Sequence, residues 1–427
     1  AKRRNVEQLR GRLWDHRARA GGRYGTKKHV KPVAKLRPRG VDDRSERQRE
    51  NDLAIGGMRD PLGAIAKVPG HRITGPKVAA VIEGFLNDHP GLEARIVASY
   101  GADKHAKLGA TQEEVMELRR RLADLFGADL DDDPKRTEIC APLLDAWCAA
   151  AGGPDTPLLR WLRDGAPAGI LHIPEAVGVF PIVDEPPTGE FPVAEFHPMR
   201  NYVPMEDSPH AKEVLGDLVS QGYVQRYTSL SCLRKRLGGK NPIITKMALI
   251  SLAKESGWKH RLILDCRVSG ANSHAAKSER VVLPRAWEAI SDSLHLKAYN
   301  HDVTITYFVC DLSDAFFKLP LMDDELVYFV TYYGGAWYLW CRLGQGMING
   351  PNLWGILAAL TGRLSQSMVD EAEALLEIYT DDPILAIAAA EARTHRISAM
   401  MVMMWRAIGF DLACHKAQLS YCVTWIG

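Results

Sequence analysis

Apolar and polar positions fall into distinct regimes along the chain. Up to about residue 55 there is little apolar periodicity. Between 56 and 165 apolar residues recur at helical spacing, first over 77–86 and then over 111–126. The second run opens with Thr111 and, three positions on, Glu114, and it ends at Gly127, so a capping box and a glycine stop frame a helix. A third run over 142–162 carries Leu143, Leu144, Trp147, Leu158, Leu159 and Trp161. Residues 166–204 are rich in Pro, Gly and acids and predict an extended approach segment. Ser208 and Pro209 predict an N-cap and first turn for a helix bearing Val214, Leu215, Leu218 and Val219, which stops before Gly222. Two alternating runs between 241 and 265, joined at Lys254-Glu255-Ser256-Gly257, predict a β-hairpin. Helices are expected over 287–294, 352–364 and 388–408. Phe308, Val309 and Cys310 form a short apolar strand ending on Asp311. Ile378 and Tyr379, then Ile384, Leu385 and Ile387, flank Thr380-Asp381-Asp382-Pro383 and predict a buried hairpin, with Pro383 in the turn or opening the return strand.

That last hairpin holds the candidate chemistry. Two adjacent carboxylates between apolar strands are costly unless a cation sits on them. A solvated Asp-Asp turn is the plain alternative, since Asp is a common turn residue. Asp311, at the exit of another apolar strand some seventy residues upstream, changes that balance. Three carboxylates drawn together this way suit two divalent ions and in-line phosphoryl transfer.

The residues now on the page resemble a known family. Asp311 with Ala315-Phe316, then Leu343-Gly344-Gln345-Gly346, then Tyr379-Thr380-Asp381-Asp382 are similar to motifs A, B and C of reverse transcriptases from retroviruses and LTR-type retroelements. The resemblance covers about residues 200–427 and implies an α+β fold: fingers over 205–300, and a palm over 301–427 whose antiparallel sheet is backed by helices. It implies RNA-directed DNA synthesis on an RNA or DNA template with primer, using dNTPs and two Mg²⁺ ions, with Mn²⁺ as a substitute. Asp311, Asp381 and Asp382 would be the catalytic metal ligands, and Asp314 a structural acid. Trp258 to Asn272 looks like a fingers motif, with two extra residues between the Trp and the Arg. By that match Arg261 would hold the triphosphate, and Asp265 would pair with Arg267. Lys254 or Lys259 would supply a further cation. Phe316 would act as a steric gate against a ribose 2′-OH. Gln345 and Gly346 would approach the nucleotide, and Gly344, where the family has Pro, would loosen their loop. Lys416 would serve the leaving pyrophosphate. Trp425 and Gly427 would contact the primer, and no thumb follows. An RNA-directed RNA polymerase, and a decayed or domesticated element that binds nucleic acid without catalysis, are the alternatives.

Composition adds three points. Net charge is only +2, but residues 1–50 carry 17 Lys/Arg against 6 Asp/Glu, a net +11 that leaves −9 for the rest. The first 55 residues therefore read as a flexible basic arm, either a contact for a phosphate backbone or a linker or localisation signal. Residues 56–165 read as a helical accessory region with no recognisable chemistry. The eight cysteines form no CxxC or zinc-knuckle spacing and read as free thiols in a reducing compartment. No apolar run reaches transmembrane length, so no membrane partner is expected, and an intracellular location, cytoplasm or nucleus, is. The chain starts at Ala rather than Met and is expected to be a piece of a longer protein. Oligomeric state cannot be read from the sequence.

Overall fold

The computed structural model describes residues 45–103, 109–185, 200–254 and 257–426. The basic arm up to residue 44, residues 186–199 of the approach segment, the side chain of Lys254, the turn at 255–256 and Gly427 lie outside the described residues. Glu46–Gly427 is one compact unit.

Its centre is a four-stranded antiparallel sheet. Strands Ala374–Tyr379 and Asp382–Ile387 pair as a hairpin, with Leu376 opposite Leu385. Strand Thr306–Val309 flanks the second of these, and Gln418–Ser420 closes that edge. Side chains alternate across the two faces. Phe308, Leu376, Ile378, Leu385 and Ile387 enter the main core. Leu375 and Ala386, with Val309 and Ile384, enter two smaller clusters beneath helix Ala286–Tyr299. Both faces are covered, which is why these strands read as unbroken apolar runs rather than alternating ones.

The main-core face rests on helices Gly350–Ser367 and Glu391–Ile408, both almost wholly buried. Trp405 of the second stacks on Phe308 of the sheet. The helices expected over 56–165 form a further layer. His71–Asp88 packs on both long helices, and Gln112–Phe126 packs on Glu391–Ile408. The capping box at Thr111 and Glu114 is formed, and Gly127 ends that helix at φ 66°. The run over 142–162 is two helices, Ala141–Ala151 and Thr156–Asp164, broken at Gly152. This layer shares the central core: Met58 O accepts from Ile378 N–H on the sheet edge at 2.8 Å. A Cβ on Gly362 would lie 1.8 Å from Gly57 O, so only glycine lets the 350–367 helix sit that close. Arg363 and Asp155, both fully buried, pair at 2.5 Å, and Arg363 also donates to Gly56 O. His71 lies beside the pair, fully buried, and burial lowers its pKa to about 4.

The hairpin expected between 241 and 265 is Lys246–Lys254 with Gly257–Asp265. A three-stranded sheet lies near its base, in the order Val224–Tyr227, Ala336–Trp340, Val330–Tyr333. The helix expected from Ser208 starts at Ala211 instead, with no side-chain cap. Ser208 Oγ accepts from His210 N–H, so the Ser-Pro pair makes a turn ahead of the helix. All eight cysteines are free. Among the described residues no helix is long and apolar enough to cross a membrane.

Candidate active site

The carboxylates lie near one another at one end of the four-stranded sheet. Tyr379 pairs with Asp382, so Thr380 and Asp381 form a two-residue turn. Thr380 has φ 57°, an unfavourable region for a β-branched residue that costs roughly 1–3 kcal/mol and needs support from its surroundings. Two indoles supply that support. Trp354 Nε1 donates to Thr380 O at 2.8 Å, and Trp425 Nε1 donates to Asp382 O at 2.9 Å. Asp381 O accepts from Leu312 N–H at 2.8 Å, which brings the backbone after strand Thr306–Val309 against the turn. Asp311 O accepts from Ala413 N–H, and Asp411 O from Ser313 N–H, so the 411–416 loop completes the frame. The Nζ of Lys416 contacts the Asp311 carboxylate.

The electrostatics agree with this placement. Burial, then the charge of Asp311, raises the pKa of Asp381. Burial, then Asp381 and Asp311, pushes Asp382 up to about 6. Lys416 and Lys259 oppose both shifts. The donor set fits a hard divalent cation: three carboxylates, mutually repelling and partly desolvated. Among the described residues no three potential ligands stand assembled around one point, and Asp311 is engaged by Lys416.

The other expected residues are distributed around this end. Arg261 is exposed on the long hairpin, in register with Ile250 and two residues from Lys259, hence on the same strand face. Lys259, whose charge reaches Asp381 and Asp382, is the cation this hairpin brings nearest them. Asp265 lies 3.6 Å from Arg267, and it also accepts from Tyr202 O–H at 2.7 Å. Phe316 is half-buried in a short 3₁₀ turn, Ala315–Lys318, while Phe317 stacks on Tyr223. Asp314, at φ 56°, receives the Tyr223 hydroxyl at 3.4 Å. Gln345 O accepts from Leu264 N–H, and Gly346 O from Asn272 Nδ2, so their loop is docked on the hairpin base. Gly346 has φ 108°, and a Cβ there would meet Leu264 O at 1.9 Å. Gly344 therefore does not leave the loop loose, because Asn272 and Leu264 pin it. The ring of Trp425 meets Tyr379 edge-on at 6.3 Å. Trp354 is the supporting residue that sequence reading missed; its only signal was an indole in an apolar helix.

The resemblance noted above, to retrovirus-type reverse transcriptases, is borne out by the relatives of this chain. They are retroviral polyproteins. The chain is 32% identical over 130 residues to the Gag-Pol polyprotein of Avian reticuloendotheliosis virus, which covers 29% of this chain and 11% of that polyprotein. It is 32% identical over 122 residues to the Gag-Pro-Pol polyprotein of Bovine leukemia virus (isolate Australian), covering 27% of this chain and 8% of that one. The chain thus spans about a tenth of the curated relatives it matches. No protein-family model matches. Among solved structures, the foamy viral protease-reverse transcriptase in complex with dsDNA shares 18% identity at a TM-score of 0.39, over 58% of this chain and 45% of that one. A second such complex, the dRH form with ds DNA, shares 19% at the same score, over 58% and 38%. At that score the structural likeness carries no weight of its own.

Proposed function

We propose that this chain is the fingers and palm of a retroelement RNA-directed DNA polymerase, adding dNTPs to a primer 3′-OH. The observation that carries the reading is the approach of Asp311 to Asp381 and Asp382, near enough for its charge to act on both, at one end of a sheet buried on both faces. Asp311, Asp381 and Asp382 would hold two Mg²⁺, or Mn²⁺, ions. Bound there, the ions would neutralise charge developing on the α-phosphate and lower the pKa of the 3′-OH. Lys259 and Arg261, on one strand face, would hold the triphosphate, Arg261 through its fork. Lys416 would lie beside the leaving pyrophosphate once released from Asp311. Phe316 would crowd a ribose 2′-OH, a discrimination by clash. The Gln345-Gly346 backbone would form the floor under the nucleotide. Trp425, with Gly427, would face the primer terminus.

One observation favours a second reading, nucleic-acid binding without catalysis: Lys416 takes the Asp311 carboxylate. Primer extension on poly(rA)·oligo(dT) separates the two. The polymerase reading expects extension with dTTP in Mg²⁺ or Mn²⁺ and poor use of UTP. Binding of the duplex with no extension in either metal would favour the second reading, and preference for UTP would favour an RNA polymerase.

A further inference from the structure

A cavity of about 470 Å³ lies apart from the three carboxylates, none of which lines it. It lies where the 134–136 connector, strand Val224–Tyr227, the 320–323 loop and the end of strand Ala336–Trp340 come together. Four cationic residues line it: Lys135, Arg136, Arg236 and Arg342. The carboxylate among the lining residues is Asp323, and its Oδ1 is shared by Arg136 at 3.1 Å and Arg236 at 3.0 Å. Arg342 is 8% exposed, and its Nη1 has no hydrogen-bond partner. Its other nitrogen, Nη2, stands 3.5 Å from Glu138. Glu138 also stands 3.7 Å from the fully buried Lys318, whose nearer partner is Asp411 at 3.0 Å. Positive charge is therefore undercompensated here, and a buried guanidinium N–H is left without an acceptor. Such a group is costly to bury unless an acceptor reaches it.

We propose that this cavity binds phosphate groups of a ligand distinct from the incoming nucleotide. Guanidinium forks match phosphate oxygens in geometry and charge. The volume exceeds what one phosphate needs and lies in the usual range for ligand sites, roughly 300–1,000 Å³. No aromatic ring lines the wall, and Tyr223 lies buried behind Arg342, with the guanidinium 5.9 Å from its ring centroid. Recognition is thus by phosphate and not by base stacking, which fits either a free polyphosphate or a nucleic-acid backbone.

The test is calorimetric titration of the full chain in EDTA, first with sodium tripolyphosphate and then with a short single-stranded DNA. The Lys135→Gln/Arg236→Gln double variant is compared with wild type, and Asp381→Asn serves as the control for the carboxylate site. Loss of two charge-assisted contacts weakens binding by about tenfold or more. Lys135→Gln alone, at an exposed position, gives a smaller loss in the same direction. Weakened tripolyphosphate binding assigns the site to a free polyphosphate. Weakened DNA binding without tripolyphosphate binding assigns it to a nucleic-acid backbone. Unchanged affinity for both probes, or a loss reproduced by Asp381→Asn, overturns the proposal whether or not the chain polymerises.

Discussion

The four-stranded sheet and the long hairpin hold the two halves of the candidate site on opposite kinds of support. The sheet is covered on both faces, and its Thr380-Asp381 turn is strained at Thr380 and tied down by Trp354 and Trp425. The hairpin Lys246–Lys254 with Gly257–Asp265 is two-stranded, with Ile250, Leu252 and Trp258 exposed. Its base is docked through Leu264 on the 345–346 loop. Met247, Leu249, Leu262 and Leu264 hold the base of the ribbon in the core, but its outer part is exposed and opens at low cost, whereas a doubly covered sheet opens only with the core. The comparison assigns fixed geometry to the carboxylates and adaptable reach to the cations Lys259 and Arg261.

The support under the sheet is the first thing to break. Asp155→Ala leaves Arg363 buried and uncompensated, and it is expected to cost about 3–5 kcal/mol in urea unfolding. A loss below about 1 kcal/mol would mean that the helical layer does not brace the sheet through this pair. On the hairpin side, Arg261→Ala removes the charged contact to triphosphate proposed for this residue. It is expected to raise the KM for dNTP about tenfold or more with the melting temperature unchanged. Equal loss of primer–template affinity would move Arg261 to a backbone contact.

The sheet should also carry a pH signature above the usual carboxylate range. Burial, then the charge of Asp292, pushes Glu377 from 4.5 up to about 9. Between those values the folded chain keeps a proton that the unfolded chain has released, so stability falls as pH rises through that window. Glu377→Gln retains an acceptor for the Asp60 N–H and cannot ionise. It is expected to raise the melting temperature at pH 9 by about 2–4 °C, for a gain on the order of 1 kcal/mol, and to leave it unchanged near pH 4. An identical pH profile for the two proteins would remove Glu377 from the account. A further effect is expected at the rim of the site. Phe316→Val should raise the rNTP/dNTP efficiency ratio by about 1–3 kcal/mol of lost discrimination; an unmoved ratio makes Phe316 ordinary core.

Much of this contrast was legible in the residues. Unbroken apolar runs around Asp381-Asp382 gave the buried hairpin, and alternation over 246–265 gave the more open one. Local signals also located the Thr111 capping box. Signals that depend on distant partners were silent. Nothing near Arg363 announces Asp155 some two hundred positions away, and a lysine at 416 does not reveal that it reaches Asp311. The Ser208-Pro209 pair misled because a turn and a helix start use the same residues. The cationic cavity is assembled from positions 135 to 342, none of which forms a pattern in sequence.

The central claim is that the strained turn on the rigid sheet is where nucleotidyl transfer occurs. The direct measurement is primer extension by Asp381→Asn beside wild type, with melting temperature read on the same samples. Loss of a metal ligand should remove several kcal/mol of transition-state stabilisation, about three orders of magnitude in rate. The fold should not suffer, because one of three repelling carboxylates is gone. Extension near the wild-type rate by a folded Asp381→Asn protein would contradict the account.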